Sequence, residues 1–249
     1  MSLPQVPART TTETDTDSPK AYARMLRQCA LFRGVPDSEI DELANRVSPV
    51  RYREGAVLVP QNAPGDQLLV IGSGRVKVAM YSDKGREVTL AVLRPGDVIG
   101  EMSVIDGASR SAAVVALSDV SLLSLPREEF LLHLRRSPQT ALNLLGEMSQ
   151  RLRRANENIV SLALQDVEVR LVKTLARLAR DEGSINPDGS LILRRRPTQQ
   201  ELANMVGSSR ETVSRTLAAM ARQGLTVTRG RSLLLTERLL RRGQATAQA

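Results

Sequence analysis

The hydrophobic and polar positions follow two different periods along the chain. Between about Val47 and Leu125, short apolar runs alternate at every second residue, and turn sequences such as Gly72-Ser73-Gly74 separate them. This alternation predicts short antiparallel strands in a sandwich or roll. The alternating positions are Leu68 and Val70; Val76, Val78 and Met80; and Val88, Leu90 and Val92. Helical spacing precedes Arg46 and follows Pro126, so we expect an α+β chain with a jelly-roll-like β-roll.

A long amphipathic helix is predicted after the roll. A short helix from Glu128 to Arg136 leads to one that runs from about Pro138 to Leu164. Apolar residues recur in it every seven positions, in two interleaved series, Leu145, Leu152 and Ile159, and Met148, Ala155 and Leu162. A helix packed on a monomer core gives this pattern over one or two heptads. Almost three heptads with polar flanks favour a parallel homodimer.

A helix-turn-helix pattern follows. Thr198 at an N-cap with Glu201 three residues later predicts a capping box for a first helix that ends at Gly207. Ser208 or Ser209 caps a second helix, which extends to about Gln223. Apolar residues of the second helix share one face, and polar residues occupy the other. The apolar residues are Val213, Leu217 and Met220, and the polar ones are Arg210, Glu211, Ser214 and Arg215.

The polar face carries side chains that can read bases in a major groove. Arginine can hold guanine O6 and N7 with two donors, glutamate can accept from cytosine N4, and serine adapts to either role. Two structural interpretations stay open beside this one. Glu211 lies three residues after Ser208 and could complete a capping box. Glu211 and Arg215 could also form an i,i+4 pair that stabilises the helix.

Charge strengthens the nucleic-acid interpretation. The net charge of +8 comes entirely from residues 167–249, which hold 15 Lys and Arg against 7 Asp and Glu; the first 166 residues hold 20 of each. A basic patch confined to one domain is the electrostatic footprint of a phosphate backbone. Five aromatic residues in the whole chain argue against base stacking on single strands or RNA. Double-stranded DNA is therefore the predicted partner.

The remaining elements complete five segments. Near the N-terminus, two helices are expected between Lys20 and Arg46, with Asp37 as a cap. After the long helix, a further helix is expected from Val167 to Arg180 with Asp166 as its cap, followed by a loop at 183–189. Arg229-Gly230-Arg231 is expected at the tip of a β-hairpin wing. The predicted segments are a disordered tail (1–19), a sensor domain (20–136), a dimerisation helix (137–165), a winged helix-turn-helix (166–240) and a frayed tail (241–249).

Several classes of protein are excluded by composition. A single cysteine, Cys29, and a single histidine, His133, cannot build a disulfide, a zinc site or a nucleophile–base pair, so neither a metal nor an enzyme is expected. Cys29 is predicted to be a buried hydrophobe, and His133 a residue on a helix surface or interface. The chain has no apolar run of membrane-spanning length and no signal-peptide core, which predicts a cytoplasmic protein without membrane contact.

A candidate anion site follows the roll. In Ile99-Gly100-Glu101-Met102-Ser103, glycine permits close backbone approach and Glu101 can accept from a sugar hydroxyl. In Ser109-Arg110-Ser111-Ala112, Arg110 offers a guanidinium fork for a phosphate, and Ser111 adds a hydroxyl and an N–H. A salt bridge between Glu101 and Arg110 that closes the loop is the structural alternative.

These two runs, together with Arg210-Glu211-Thr212-Val213 and Arg215, resemble the cyclic-AMP receptor protein and fumarate–nitrate regulator family of bacterial transcription factors over about Leu26 to Leu240. The resemblance implies that Gly100 and Glu101 hold a ribose, and Arg110 and Ser111 a cyclic phosphate. It implies palindromic operators with TGTGA-like half-sites and RNA polymerase as a partner; Ser214 resembles the branch that reads TTGAT. The residues assigned to DNA are Thr198, Gln200, Ser209, Arg210, Glu211, Thr212, Ser214, Arg215, Arg229 and Arg231.

The residues matched to the family's base contacts leave several effectors open. Two polar residues of the family's long helix bond adenine, and the matching residues here are Ala155 and Asn156. Asn156 can bond a base, whereas Ala155 has no hydroxyl. Cyclic AMP is the favoured effector, and cyclic GMP, cyclic di-GMP and no small ligand are alternatives. The iron–sulfur branch is excluded because its N-terminal cysteines are missing. A nucleotide-hydrolysing enzyme and an architectural DNA protein are the other function classes.

Overall fold

The computed structural model describes residues 18–194, 196–230 and 232–245, and these divide between Leu152 and Arg153 into two units. The first unit begins with α1 (Pro19–Gln28), a 3-10 turn (Ala30–Phe32) and α2 (Asp37–Ala44). Ser18 caps α1 and Pro19 begins it, so the predicted disordered tail (1–19) is wrong for these two residues; residues 1–17 lie outside the described residues. The prediction that Asp37 caps α2 is wrong. Pro36 holds the cap position, and the Asp37 carboxylate accepts from Arg27 Nε at 2.6 Å.

Two antiparallel four-stranded sheets form the predicted roll. One sheet has the order β1-β8-β3-β6 and the other β2-β7-β4-β5. Side chains from both sheets share one apolar cluster that includes Leu69, Ile71, Val114 and Leu122. The strands are β1 (Ser48–Tyr52), β2 (Val57–Val59), β3 (Gln67–Ser73), β4 (Val76–Tyr81), β5 (Glu87–Leu93), β6 (Val98–Ile99), β7 (Ala113–Ala116) and β8 (Val120–Pro126).

A bulge in β5 shifts its register with β4. Val78 pairs with Ala91 and Ala79 with Thr89, so Leu90 is the extra residue. On β4, Ala79 is fully buried and Met80 is exposed. Val88 and Leu90 on β5 are also exposed. The period-two pattern identified the strands, and of its residues Leu68, Val70 and Val76 are buried whereas Met80, Val88 and Leu90 are not.

Three helices complete the first unit, α3 (Glu101–Asp106), α4 (Arg127–Arg136) and α5 (Pro138–Leu164), the last of which continues into the second unit. The bounds of α4 and α5 agree with the predicted helices. In the single chain, Met148 packs against the core of the first unit, but most of the other apolar heptad residues of α5 are not covered. Leu145, Leu152, Ile159 and Leu162 each expose more than half of their surface.

His133 lies in the core, and its prediction as a surface or interface residue is wrong. It is buried, packs edge-on against Phe32 with ring centroids 5.9 Å apart, and places Nε2 2.8 Å from Thr140 Oγ1 on α5. The Thr140 hydroxyl donates to Ser137 Oγ at 3.2 Å. Burial in this cluster lowers the pKa of His133, while Glu39 and Glu42 act in the opposite direction.

The stability of the protein is expected to fall in weak acid because of His133. In the unfolded chain, His133 takes up a proton below its ordinary pKa of about 6.5, whereas in the folded chain burial opposes protonation. The stabilising contribution of neutral His133 to the free energy of unfolding is therefore fully present above that pH and decreases below it. The upper limit of this slope is one proton, about 1.4 kcal/mol per pH unit. Urea unfolding at pH 7.5 and pH 5.0 is the measurement. His133→Gln, which keeps a donor for Thr140, is expected to have the shallower pH dependence; an equal dependence in both proteins would contradict the assignment.

The second unit contains α6 (Val167–Glu182), α7 (Gln199–Val206), α8 (Arg210–Arg222) and α9 (Glu237–Ala245). Its sheet has the order β11-β12-β10-β9, with β9 (Ser184–Ile185), β10 (Leu191–Leu193), β11 (Thr226–Arg229) and β12 (Ser232–Leu235). The hairpin β11–β12 is the predicted wing. Helix α6 is two residues longer than predicted, and the expected loop at 183–189 contains β9, which pairs with β10.

The predicted frayed tail at 241–249 is wrong for residues 241–245, because α9 extends to Ala245. Leu239 of this helix is fully buried in the same apolar cluster as Leu171 and Leu235, and Arg242 approaches Glu168 of α6 at 3.8 Å. Residues 246–249 lie outside the described residues. In the ranges that the structure describes, no helix combines the length and the apolar character needed to cross a bilayer.

Candidate ligand and DNA-binding sites

Arg110 is a buried cation held by main-chain oxygens. Only 4% of its surface is exposed, and it donates from Nη1 to the Gly100 carbonyl at 2.9 Å and from Nη2 to the Gln67 carbonyl at 2.6 Å. The Arg110 main chain is fixed as well, because its N–H donates to Ala63 O and its carbonyl accepts from Asn62 N, both at 2.8 Å. The guanidinium therefore has a defined position before any ligand arrives.

Gly100 is required for this position. Its φ is +88°, which disfavours other residues, and a Cβ placed there would lie 1.7 Å from Arg110 Nη1. The glycine of the predicted motif thus makes room for the arginine of the same motif. Ten residues apart in sequence, the two are in direct contact.

The charge of Arg110 is not neutralised by a carboxylate. Burial lowers the pKa of Arg110, and Asp66 and Glu101 act at a distance to raise it. The alternative interpretation, a Glu101–Arg110 salt bridge, is wrong: none of the ion pairs among the described residues includes Arg110. A fixed guanidinium with neutral oxygen partners is suited to an anionic ligand.

Glu101 is paired instead with an arginine that sequence reasoning missed. Arg151 of α5 donates from Nη1 to Glu101 Oε1 at 2.6 Å and from Nη2 to the Val98 carbonyl at 3.2 Å. Glu101 is buried, and its Oε2 has no hydrogen-bond partner among the described residues. In the sequence, Arg151 was one of several polar residues flanking the heptads, with nothing to relate it to a glutamate fifty positions earlier.

Removing Arg151 alone is expected to be more destabilising than removing the pair. Arg151→Met leaves a buried carboxylate without its cation, which costs about 3–5 kcal/mol for a fully buried pair and less here because the Arg151 side chain is 35% exposed. In the double variant Glu101→Gln/Arg151→Met, most of the loss is expected to return. Urea unfolding of the four proteins of this cycle measures the coupling. Additive losses would show that the pair contributes nothing.

The other predicted ligand residues differ in accessibility. Met102 and Ser111 are exposed, and Ala112, which directly precedes β7, is buried. Ala155 and Asn156 are exposed on α5, beyond Leu152 and therefore in the second unit. Their contact with a ligand stays a prediction.

The helix-turn-helix has the predicted caps. Glu201 N–H donates to Thr198 Oγ1 at 3.1 Å and Thr198 N–H donates to Glu201 Oε2 at 2.6 Å, which confirms the capping box. Ser209 caps α8 by accepting from Thr212 N–H at 3.1 Å. Glu211 is thus the second residue of α8 and cannot complete a capping box as the third.

One face of α8 is buried and the other is open. Val213 and Met220 are buried, and Leu217 packs against the same cluster. Arg210, Glu211 and Arg215 are exposed, and Ser214 is half-buried. Bonds from its own main-chain N–H and from Ser209 lower the pKa of Glu211, so it is held as an anion at the helix N-terminus.

The remaining DNA candidates lie near these residues in sequence. Gln200 is exposed on α7 and donates to Asn204 Oδ1 at 2.9 Å, and Arg229 is exposed at the end of β11. Arg231 lies outside the described residues. Arg196, which is not among the predicted DNA-binding residues, donates to Thr228 on the wing at 3.2 Å and adds a cation beside it.

Two family models match the two units. Residues 49–137 match the cyclic nucleotide-binding domain and residues 169–242 match the Crp-like helix-turn-helix domain. The CRP-like cAMP-activated global transcriptional regulator of Mycobacterium tuberculosis is 34% identical over 88% of this chain and 99% of its own length. The chain belongs to the Crp–Fnr family of transcription factors.

Further relatives of this Crp–Fnr regulator agree. The cyclic AMP receptor protein of Thermus thermophilus is 37% identical over 78% of the chain and 87% of its own length. Among solved structures, the c-di-GMP responsive global regulator CLP of Xanthomonas campestris is similar with a TM-score of 0.72 and 26% identity, over 81% of this chain and 99% of CLP. The relatives are transcriptional regulators, which confirms the prediction that this protein is not an enzyme.

Proposed function

We propose that this Crp–Fnr regulator is a homodimer whose operator binding is controlled by a cyclic nucleotide, with cyclic AMP as the favoured effector. The observation that carries the proposal is Arg110, a buried guanidinium fixed by the carbonyls of Gly100 and Gln67 and without an ion-pair partner in the described part of the chain. A cyclic phosphate supplies the missing negative charge and matches the guanidinium fork. Glu101, whose Oε2 has no hydrogen-bond partner among the residues described, accepts from the ribose hydroxyl.

The choice of cyclic AMP rests on relatives whose names describe them as a cAMP-activated regulator and as a cyclic AMP receptor protein. Two observations favour cyclic di-GMP as the second candidate. Ala155 has no hydroxyl for adenine, and the similar CLP structure is that of a c-di-GMP responsive regulator. Both effectors are anions, so Arg110 serves either.

The homodimer is supported by the heptad residues of α5. Leu145, Leu152, Ile159 and Leu162 form an apolar series that is open to solvent in one chain. A second copy of α5, packed in parallel, would cover it. Effector contact with Asn156 would then change how the two helices pack and so alter the separation of the two α8 helices.

DNA binding divides into reading and positioning. Arg210, Glu211 and Ser214 would read base edges in the major groove, while Thr198, Gln200 and Arg229 would contact phosphates. Two α8 helices spaced about 10 base pairs apart would fit an imperfect palindrome with TGTGA-like half-sites. RNA polymerase is the proposed partner of the DNA-bound dimer, in the cytoplasm.

Calorimetric titration with cyclic AMP, cyclic GMP and cyclic di-GMP tests the effector. We expect one of the three to bind and to strengthen operator binding, measured with a palindromic duplex in the same buffer. Sedimentation equilibrium is expected to give twice the chain mass of 27.2 kDa. Operator affinity that stays the same with every nucleotide would favour an architectural DNA protein. Turnover of nucleotide would contradict the proposal.

A further inference from the structure

The side chain of Arg170 binds the C-terminal ends of two different helices. It lies on the first turn of α6, where its own N–H donates to Asp166 O at 3.1 Å. Its Nη1 donates to the carbonyl of Gln165, which directly follows α5, at 2.5 Å. Its Nε donates to the carbonyl of Val206, the last residue of α7, at 2.9 Å.

These two carbonyls are positions where a cation binds well. The last carbonyls of a helix have no partner within the helix and carry the negative end of its dipole. One guanidinium donates to the terminal carbonyls of both helices at once, whereas a hydroxyl, with a single donor hydrogen, could bond only one of them. Gln165 also continues the path of α5, because its N–H donates to Ser161 O at 3.1 Å and its Oε1 accepts from Ser161 Oγ at 2.8 Å.

A separate contact joins the same elements. Gly207 ends α7 with a φ of +62°, and a Cβ at this position would lie 2.8 Å from Leu162 Cδ2. The last turn of α5 therefore packs closely against the turn between α7 and α8. Two contacts of different chemistry, one polar and one apolar, connect α5 to the helix-turn-helix.

We propose that Arg170 is a positioning residue that joins the last turn of α5, α6 and the helix-turn-helix into one rigid body. The turn at Gln165–Asp166 then transmits a movement of α5 to α8 instead of absorbing it as a free hinge. This inference rests on the proposed function for its regulatory meaning. The rigid joint itself is a property of the single chain and can be tested without effector, operator or dimer.

Spin-label distances within one chain test the joint. Labels at Glu157→Cys on α5 and Arg222→Cys on α8 occupy exposed positions, and burial raises the pKa of Cys29 to about 12, which keeps its thiol unreactive. Labelled protein is diluted with unlabelled protein so that only distances within a chain are measured. With Arg170→Met we expect a distance distribution at least about twice as wide as with Arg170 intact. The control, Arg177→Met, changes an exposed arginine of the same helix and is expected to leave the width unchanged.

Two further measurements separate positioning from folding. Arg170→Lys retains a cation but not the fork, so an intermediate width is expected at unchanged helix content by circular dichroism. In the same variants, the ratio of operator Kd without and with effector is expected to fall toward one only for Arg170→Met. Widths equal to that of Arg177→Met in both Arg170 variants would overturn the rigid joint. A wild-type protein without any effector response would instead overturn the proposed function and leave the width result valid.

Discussion

Arg110→Ala is expected to weaken binding of the cyclic nucleotide by at least about 100-fold. Breaking a buried ion pair by removing one partner costs about 3–5 kcal/mol, and Arg110 is the buried cation proposed to face the phosphate. Calorimetric titration of the variant measures the loss. Arg110→Lys, which keeps the charge but not the two-donor geometry, is expected to lie between the variant and the wild type.

The matched control for Arg110 is Arg53→Ala, which removes an arginine paired with Asp119 on the exposed surface of the same unit. Its nucleotide affinity is expected to equal that of the wild type. Arg110→Ala also removes the Arg110 donors to the carbonyls of Gly100 and Gln67, and the Gly100 carbonyl then keeps only the N–H of Val104 at 3.2 Å. Thermal unfolding therefore has to be measured with the titration. Wild-type affinity in a folded Arg110→Ala protein would exclude the phosphate assignment.

Arg210→Ala is expected to lose affinity for the correct operator by about 1–3 kcal/mol, or roughly 5- to 150-fold in Kd, and to tolerate substitution at one base pair. Arg210 is exposed at the first position of α8, next to the cap, where a side chain can enter the major groove. A set of operators with single substitutions measures the discrimination at each position.

The comparison variant, Arg229→Ala, removes an exposed arginine of the wing. If it contacts phosphate, it will weaken all operators equally and reduce the slope of log K against log salt by about one. The two variants are therefore expected to differ in which operators lose affinity, and not only in how much affinity is lost. Identical behaviour on the substituted operators would contradict the division between reading and positioning.

The helix-turn-helix could be predicted from the sequence because its signals are local. The Thr198–Glu201 capping box, Gly207 and the spacing of Val213, Leu217 and Met220 each act within about one or two helical turns. The same holds for the Gly100–Glu101 and Arg110–Ser111 runs, whose residue types already indicated an anion site. Interactions over short sequence distances leave a pattern that can be read in one window.

The contacts that the sequence did not predict join distant residues. Arg151 reaches Glu101 across fifty positions, and Arg170 reaches Val206 across thirty-six. No periodicity marks such pairs, because an arginine on a polar helix face fits solvent equally well. Helix α9 was missed because it is short and basic, and its order depends on packing against α6. The burial of His133 was missed for the same reason, since Thr140 and Phe32 surround it only in the folded unit.

The single imidazole of the chain gives the protein a built-in spectroscopic probe. One histidine in the sequence means one pair of ring-proton resonances in an NMR spectrum, with no assignment problem. Because His133 contacts Thr140 in the first turn of α5, a change in its chemical shift on addition of nucleotide would show that the N-terminal turn of α5 responds to the ligand. The ring-proton signal can be followed in unlabelled, unmodified protein between pH 5 and 8, the range in which the ordinary pKa of histidine lies.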